Sequence, residues 1–226
     1  MANDVERSTV EVLIEGGRLQ GVLTTPPTLC AGALLLHPHP LYGGCKEDRV
    51  ITAVEAIMNE LGIATLRFDF RGVHSNAAYA GVHGAVEDAL AAMHTLQNRL
   101  GATEDLPLGV AGYSFGASVG LHAAALRDVA FVISISASHS IAAEISGLED
   151  RLSAISCPVL LVHGDRDMVV PVSDARTLAE MLDNTHPAVR IIFGEGHFFH
   201  RALSEVTAVV RRFLEEVRFS ATSSEQ

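Results

Sequence analysis

Short apolar runs alternate with helix-length segments along most of this chain. Two β-branched stretches come first, at residues 8–15 and 17–25, and the glycine pair between them predicts a β-hairpin. Six further runs are apolar at successive positions: AGALLLH, GIATLRFDF, PLGVAGY, VAFVISISA, CPVLLVHG and AVRIIFGEG. This pattern is typical of strands that helices cover on both faces of a parallel sheet.

Three of the intervening segments have the apolar spacing of amphipathic helices. Residues 47–62 and 84–101 each end at a glycine, and a third helix is predicted over residues 201–219. The predicted buried faces are Val50, Val54, Ile57, Met58 and Leu61; Val86, Leu90, Met93, Leu96 and Leu100; and Leu203, Val206, Val210, Phe213 and Val217. The alternation predicts one α/β domain over residues 1–219, with a mostly parallel central sheet and helices on both faces. Residues 220–226 are predicted to form a disordered tail.

Composition and charge narrow the class of protein. Hydrophobic residues make up 48% of the chain and charged residues 19%, which favours a globular protein. The formal net charge of -11 disfavours binding to nucleic acid or to an anionic membrane. MANDVERSTV lacks the apolar core of a secretory signal, and no run reaches membrane-spanning length. Cys30, Cys45 and Cys157 lack C-x-x-C spacing, so we expect reduced thiols in a cytoplasmic protein.

Residues that could take part in catalysis lie where the predicted strands end. In open α/β sheets, functional residues lie in the loops beyond the carboxyl ends of the strands. GYSFG, HGDRD and GEGHFFH each end or follow such a run, which brings Ser114, Asp167 and His197 to one edge of the sheet. The G-x-S-x-G pattern at a strand-to-helix turn predicts a nucleophile elbow, where glycines fit the crowded positions that flank the serine.

The order of these motifs resembles the α/β-hydrolase superfamily. HPHP with GG, RFDFRGV, GYSFG, HGDRD and a late GH are similar to its small bacterial branch of dienelactone-hydrolase-like and CocE/NonD-like serine esterases. The resemblance extends from about Gly32 to the last helix. It implies an eight-stranded, mostly parallel sheet whose second strand is antiparallel, and a Ser–Asp–His hydrolase.

Each of the three residues has a chemical role in such an enzyme. Ser114 is a weak nucleophile until a base takes its proton, and His197 can accept and return that proton near neutral pH. Asp167 would orient the imidazole and stabilise its charged form. The family pattern H-G-x-x-D falls on Asp167, so Asp165 is expected to be solvated or to form a turn. His200 is expected to cap or solvate the last helix.

The oxyanion hole needs two backbone N–H donors. The first is expected from Phe115, directly after the nucleophile. The second should come from the loop after ALLLHPHP, whose prolines have no N–H, which leaves His39, Leu41 or Tyr42. In the related H-G-x-P loops the third position supplies the donor, which favours His39 here and keeps Tyr42 in reserve.

The substrate pocket is expected to involve a loop that departs from the family. His74 stands in RGVHSNAAYAG where the relatives have a glycine, so His74, Asn76 or Tyr79, with Tyr42, are candidates to line the pocket. The alternative is that this loop merely tolerates a larger side chain. Residues 136–156 are too few for a separate cap domain. The pocket is therefore expected to be open, or closed by the second subunit of a homodimer.

The sequence favours a hydrolase that needs neither metal nor cofactor. The chain has 11 histidines but no compact ligand motif, and His37 and His163 at strand ends are expected to hold loop backbone. The predicted reaction is hydrolysis of a small ester, thioester or lactone through an acyl-enzyme on Ser114, with a small-molecule acyl substrate as partner. The alternative is a non-hydrolytic enzyme on the same fold, such as a cyclase, isomerase or acyl transferase, or a ligand receptor.

Overall fold

In the part of the chain that the structure describes, eight strands form one sheet, and a single strand runs antiparallel to the others. The computed structural model describes residues 5–101 and 106–217. The strands are β1 (Glu6–Ile14), β2 (Gly17–Thr25), β3 (Ala31–Leu36), β4 (Ile63–Phe68), β5 (Leu108–Tyr113), β6 (Phe131–Ile135), β7 (Val159–Gly164) and β8 (Ala188–Ile192). Their order across the sheet is β1-β2-β4-β3-β5-β6-β7-β8. Strand β2 pairs antiparallel with β1 and β4, and the remaining pairs are parallel. The predicted strands, the hairpin and the antiparallel second strand are confirmed.

Helices cover both faces of the sheet. The described helices are α1 (Arg49–Glu60), α2 (Gly81–Arg99), α3 (Phe115–Leu126), α4 (His139–Ala142), α5 (Leu148–Ser153), α6 (Ser173–Met181) and α7 (Leu203–Glu216). Helices α1 and α7 pack on one face, and α2 to α6 pack on the other. The three amphipathic segments correspond to α1, α2 and α7, although α2 begins three residues earlier than predicted. Helix α6 was missed.

Burial on both faces explains the apolar runs. Every residue of β3, β4, β5, β6 and β7 is buried. Successive side chains of a strand point to opposite faces, so Leu34 and Leu36 pack in one core layer and Leu35 packs in the other. Of the helix positions predicted to be buried, six are half-buried instead: Ile57, Leu61, Leu90, Leu100, Leu203 and Val217.

The sheet order places a crevice at its centre. Strands β3 and β5 are neighbours, but the chain continues from β3 to β4 on one side and from β5 to β6 on the other. Ligands of open α/β sheets bind at such a switch point, beyond the carboxyl ends of the strands. Between β6 and β7 the chain forms the short helices α4 and α5, in agreement with the absence of a cap domain.

Three further observations concern the whole chain. None of the described helices is both long and apolar enough to cross a membrane. Cys30, Cys45 and Cys157 are free thiols. The predicted tail at residues 220–226 lies outside the described residues, so its predicted disorder stays a prediction.

Candidate active site

Ser114 occupies a sharp turn between β5 and α3. Its backbone has φ 56° and ψ −119°, a conformation that residues other than glycine rarely adopt. A Cβ atom on Gly112 would lie well under 3.0 Å from the carbonyl oxygen of Gly116, and a Cβ on Gly116 would lie equally close to that of Leu36. Both glycines are therefore required by close backbone contacts, which press this turn against the carboxyl end of β3.

Ser114, His197 and Asp167 form one hydrogen-bonded array. His197 Nε2 lies 2.9 Å from Ser114 Oγ, and His197 Nδ1 lies 2.7 Å from Asp167 Oδ2. An ionised carboxylate can only accept, so Nδ1 carries the proton and Nε2 offers its lone pair to the serine hydroxyl. His197 and Asp167 are both buried. The structure thus brings together three residues from three separate loops.

Hydrogen bonds reach both oxygens of the Asp167 carboxylate. Oδ1 accepts from the N–H groups of Val169 and Val170 at 2.9 and 2.8 Å. The His163 Nε2 atom lies 3.4 Å from Oδ2. Burial alone would raise the pKa of Asp167, but hydrogen bonds from the His163 and His197 rings and from a backbone amide lower it well below its ordinary value. The carboxylate is therefore ionised at neutral pH and suited to stabilise a charged imidazole.

The loop that carries His197 is fixed against the loop that carries Asp167. Asp165 Oδ1 accepts from the Gly194 N–H at 2.6 Å. A Cβ on Gly164 would lie well under 3.0 Å from the carbonyl oxygen of Glu195, so the two loops touch through their backbones. Asp165 thus joins the two loops, and no hydrogen bond links it to His197 within the described chain.

Two other side chains border the His197 segment. The Tyr113 hydroxyl donates to the carbonyl oxygen of His197 at 2.7 Å, and burial raises the pKa of Tyr113, which keeps this group a neutral donor. His200 is exposed in the turn before α7, with its ring 5.6 Å from that of Phe198. The structure therefore places His200 outside the hydrogen-bonded array.

Two backbone amides near Ser114 have no acceptor among the described residues. The Phe115 N–H begins α3, where the first amides of a helix lack intrahelical partners. The His39 N–H also has no acceptor among the described residues. The ring centroids of His39 and Phe115 are 4.6 Å apart, so the two residues are neighbours. In contrast, Leu41 N–H donates to His39 Nδ1 at 3.2 Å and Tyr42 N–H donates to the His39 carbonyl at 3.1 Å. Of the three backbone amides that the sequence offered as the second oxyanion donor, the His39 amide is the one without an acceptor in the described chain.

A cavity of about 410 Å³ opens over Ser114. Its walls include His39, Tyr42, Asp48, Tyr113, Val169 and Phe198. Six of the eight large apolar side chains that are exposed in the described chain lie on its three bordering loops: Leu41, Tyr42, Met168, Val169, Phe193 and Phe198. Sequence reasoning missed Val169 and Phe198, although each lies within two residues of a candidate catalytic residue, which was the available signal.

The structure does not place His74 in this cavity, so the prediction that it lines the pocket needs correction. The His74 side chain is 72% exposed, and its Nδ1 lies 3.1 Å from Asp69 Oδ2. Asp69 is buried and also accepts from Lys46 Nζ at 2.6 Å. The contact with this buried carboxylate holds the imidazole at the surface, and His74 is not among the residues that line the cavity over Ser114.

Tyr79 and Asn76, the other pocket candidates in the loop of His74, have different surroundings. The Tyr79 hydroxyl lies 3.1 Å from His39 Nε2, and its ring lies 6.2 Å from that of Phe115. Tyr79 is not among the residues that line the cavity, so its predicted place in the pocket wall also needs correction: it contacts His39, which does line the cavity. Asn76 is exposed.

The strand-end histidines hold loop backbone. His37 Nδ1 donates to the Pro38 carbonyl at 2.6 Å, and Nε2 accepts from the Phe70 N–H at 3.0 Å. Burial lowers the pKa of His37 to about 4, so the ring is neutral at pH 7. His163 Nε2 contacts the carbonyl oxygen of Val170 at 3.0 Å. Across residues 5–101 and 106–217, no group of three or more His, Cys, Asp or Glu side chains could hold a metal ion.

Comparison with known proteins places the chain in a family. Residues 73–209 match the family model described as Serine hydrolase (FSH1), and this range contains Ser114, Asp167 and His197. The chain belongs to this serine hydrolase family. It is also 31% identical over 191 residues to the uncharacterized protein RP471 of Rickettsia prowazekii, an alignment that covers 80% of this chain and 77% of that protein.

Solved structures with the same fold include other α/β serine hydrolases. An alpha-beta serine hydrolase homologue from Coxiella burnetii has a TM-score of 0.81 and 29% identity, with 92% of this chain and 97% of that chain covered. XC6422 from Xanthomonas campestris, a serine hydrolase without lid, has a TM-score of 0.80 and 26% identity over 93% of this chain and 94% of that chain. The predicted superfamily and the lidless architecture are confirmed, and the family and these structures support hydrolase function.

Proposed function

We propose that this protein is a carboxylesterase-like serine hydrolase that cleaves small acyl esters through an acyl-enzyme on Ser114. The observation that carries the proposal is the Ser114–His197–Asp167 array, with distances of 2.9 and 2.7 Å, at the floor of a cavity. A serine, a base and an orienting acid in hydrogen-bond contact are the arrangement that activates a hydroxyl nucleophile.

The proposed acylation step uses groups already in contact. Ser114 Oγ attacks the ester carbonyl carbon while His197 Nε2 takes the hydroxyl proton, and Asp167 stabilises the resulting imidazolium. Negative charge develops on the former carbonyl oxygen, which the free N–H groups of Phe115 and His39 would stabilise. The N-terminus of α3 adds a favourable dipole at this position. His197 then returns its proton to the leaving alcohol oxygen.

Deacylation repeats these roles with water as the nucleophile. His197 takes a proton from the water as its oxygen attacks the acyl carbon, and the proton passes to Ser114 Oγ as the acyl bond breaks. The exposed side chains Tyr42, Val169 and Phe198 at the cavity mouth indicate that solvent can reach this point. Access of water favours hydrolysis over acyl transfer or cyclisation, which require water to be excluded.

The size and the walls of the cavity favour one class of substrate. A volume of about 410 Å³ suits a small acyl group, and the ring of Tyr42 with the side chains of Val169 and Phe198 offers apolar contact. We therefore propose small acyl esters, with small thioesters and lactones as related substrates.

The test is hydrolysis of 4-nitrophenyl acetate and butyrate by the wild type and by Ser114→Ala. We expect the wild type to turn over both esters and the folded variant to lose at least about 10³-fold in kcat. Circular dichroism and the melting temperature check that the variant is folded. Equal turnover by the two proteins, or no turnover by the wild type, would contradict the proposal.

A further inference from the structure

The active-site cavity contains a carboxylate that the proposed reaction does not use. Asp48 lines the cavity together with Ser114 and Tyr113. It is the N-cap residue of α1, where its Oδ1 accepts from the N–H groups of Val50 and Ile51 at 2.8 and 3.2 Å. Within the described chain no hydrogen bond reaches its Oδ2, which leaves one oxygen of this carboxylate available.

No basic side chain forms an ion pair with Asp48 among the described residues. Its neighbour Arg49 instead donates to the carbonyl oxygens of Phe198 and Phe199, the latter at 3.2 Å. Lys46 forms an ion pair with Asp69. The negative charge of Asp48 is therefore not cancelled by a nearby cation held against it.

Opposing influences act on the ionisation of Asp48. Burial is the largest of them and raises the pKa of Asp48 above its ordinary value, whereas the amides of Ile51 and Val50 and the charge of Arg49 act in the opposite direction. The positive end of the α1 dipole also stabilises a carboxylate at the N-cap. A carboxylate oxygen that accepts no hydrogen bond in the described chain therefore lies at the wall of a cavity whose other walls include the apolar side chains Val169 and Phe198.

A fixed charge in such a cavity discriminates between ligands by their own charge. The interaction energy between two charges becomes larger as water is displaced from between them. Both desolvation and repulsion therefore weaken the binding of a substrate carboxylate near Asp48. A neutral group avoids the repulsion, and a cation gains attraction. The acidic surface of the protein, with a formal net charge of -11, acts in the same direction on the approach of the substrate.

We propose that Asp48 is a specificity-determining residue that rejects esters with a carboxylate in the acyl group and favours neutral or cationic acyl groups. This inference rests on the proposed function, because it takes the cavity over Ser114 as the acyl site. It narrows the substrate class from small acyl esters in general to those without a negative charge.

The test uses three 4-nitrophenyl esters of similar length and different charge. They are the hexanoate, the adipate monoester and the 5-(trimethylammonio)pentanoate. In the wild type we expect the highest kcat/KM for the cationic or neutral ester and the lowest for the adipate. In Asp48→Asn the adipate-to-hexanoate ratio of kcat/KM should rise about tenfold, and the cation-to-hexanoate ratio should fall by a similar factor.

Asparagine is a matched replacement at this position. It keeps an Oδ1 acceptor and is as good an N-cap as aspartate, so α1 should stay capped and the melting temperature should change little. Glu215→Gln removes the same charge from an exposed position on α7, outside the cavity walls, and we expect it to leave the ratios unchanged. Ser114→Ala gives the background rate for each ester.

The outcomes separate the two proposals. Turnover of the hexanoate with equal ratios in the wild type and Asp48→Asn would overturn the role of Asp48 and leave the esterase proposal intact. A shift of the ratios in Glu215→Gln as large as in Asp48→Asn would also overturn it, because the effect would then come from net charge. Failure of the wild type to hydrolyse any of the three esters would overturn the role of Asp48, and failure with 4-nitrophenyl acetate and butyrate as well would overturn both proposals.

Discussion

At the scale of single residues, Asp167 decides which nitrogen of His197 carries the proton. Replacement by asparagine keeps an acceptor for the Val169 and Val170 amides, so the loop should stay in place. The new amide group, however, would donate to Nδ1 and move the imidazole proton to Nε2, where it can no longer accept from Ser114. We expect Asp167→Asn to lower kcat by roughly 10⁴-fold, as measured with 4-nitrophenyl butyrate.

Asp165→Asn is the matched control for that change. Asparagine at position 165 can still accept from the Gly194 N–H, and no hydrogen bond joins this side chain to His197 in the described chain. Its kcat should stay within about threefold of the wild type. A larger loss in Asp165→Asn than in Asp167→Asn would mean that the carboxylates have exchanged roles.

The ends of the predicted strands and the order of the motifs were sufficient to select the three residues of the hydrogen-bonded array from the sequence. Ser114, Asp167 and His197 could be selected because each follows or ends an apolar run and because the order matches a known hydrolase pattern. The position of His74 could not be predicted, because it depends on the burial of Asp69, five residues before it, and on Lys46, which is far from Asp69 in sequence and meets it only in the fold. The acidic cavity wall at Asp48 was missed for a similar reason: its sequence signal is that of a helix cap.

At the scale of elements, the turn between β5 and α3 depends on close backbone packing. A Cβ on Gly116 would clash with the carbonyl oxygen of Leu36, and backbone atoms cannot rotate away as a side chain would. We expect Gly116→Ala to lower the free energy of unfolding by about 1–3 kcal/mol and to reduce kcat, because the Phe115 amide must move with the turn. Urea unfolding and ester hydrolysis measure the two effects.

Gly17→Ala serves as the control for the glycine substitution. Its Cβ would meet only the Cβ of Ala77 at 3.7 Å, an ordinary contact, and its φ is not positive. The free energy of unfolding should change by less than about 0.5 kcal/mol. Similar losses for the two variants would show that the elbow is not the constraint.

The elements were predicted to different degrees. Strands β3 to β7 were readable because burial on both faces requires successive apolar residues. The early start of α2 could not be predicted. Its N-cap residue is Ala80, which has no side-chain group to accept a hydrogen bond, so the sequence shows no capping signal there. Helix α6 begins at Ser173 after Val172, again without a side-chain cap, although its apolar positions Ala175 and Leu178 offered a helical signal.

At the scale of the whole molecule, the buried His37 at the end of β3 makes the free energy of unfolding depend on pH. Its folded-state pKa of about 4 lies below the ordinary value of 6.5, so between these pH values the unfolded chain binds a proton that the folded chain does not. Stability should therefore fall as pH decreases from 6.5 towards 4, with a contribution from His37 of up to about 3 kcal/mol. Urea unfolding at pH 7, 6 and 5 measures this slope.

The variant His37→Gln isolates that contribution. Glutamine can accept from the Phe70 N–H but does not titrate, so the slope of stability between pH 6.5 and 4 should become shallower even if stability at pH 7 decreases. His94→Gln removes an exposed histidine and should leave the slope as in the wild type. An unchanged slope in His37→Gln would show that other groups govern acid unfolding.

Activation of Ser114 as the nucleophile is tested by the intact mass of the protein after treatment with a fluorophosphonate. We expect one phosphonyl adduct per wild-type chain, located by peptide mapping on Ser114, because His197 Nε2 lies 2.9 Å from this hydroxyl. A folded Ser114→Ala protein should remain unmodified under the same conditions. An adduct that forms on Ser114→Ala at the wild-type rate, or one that maps to another residue, would show that Ser114 is not the activated nucleophile.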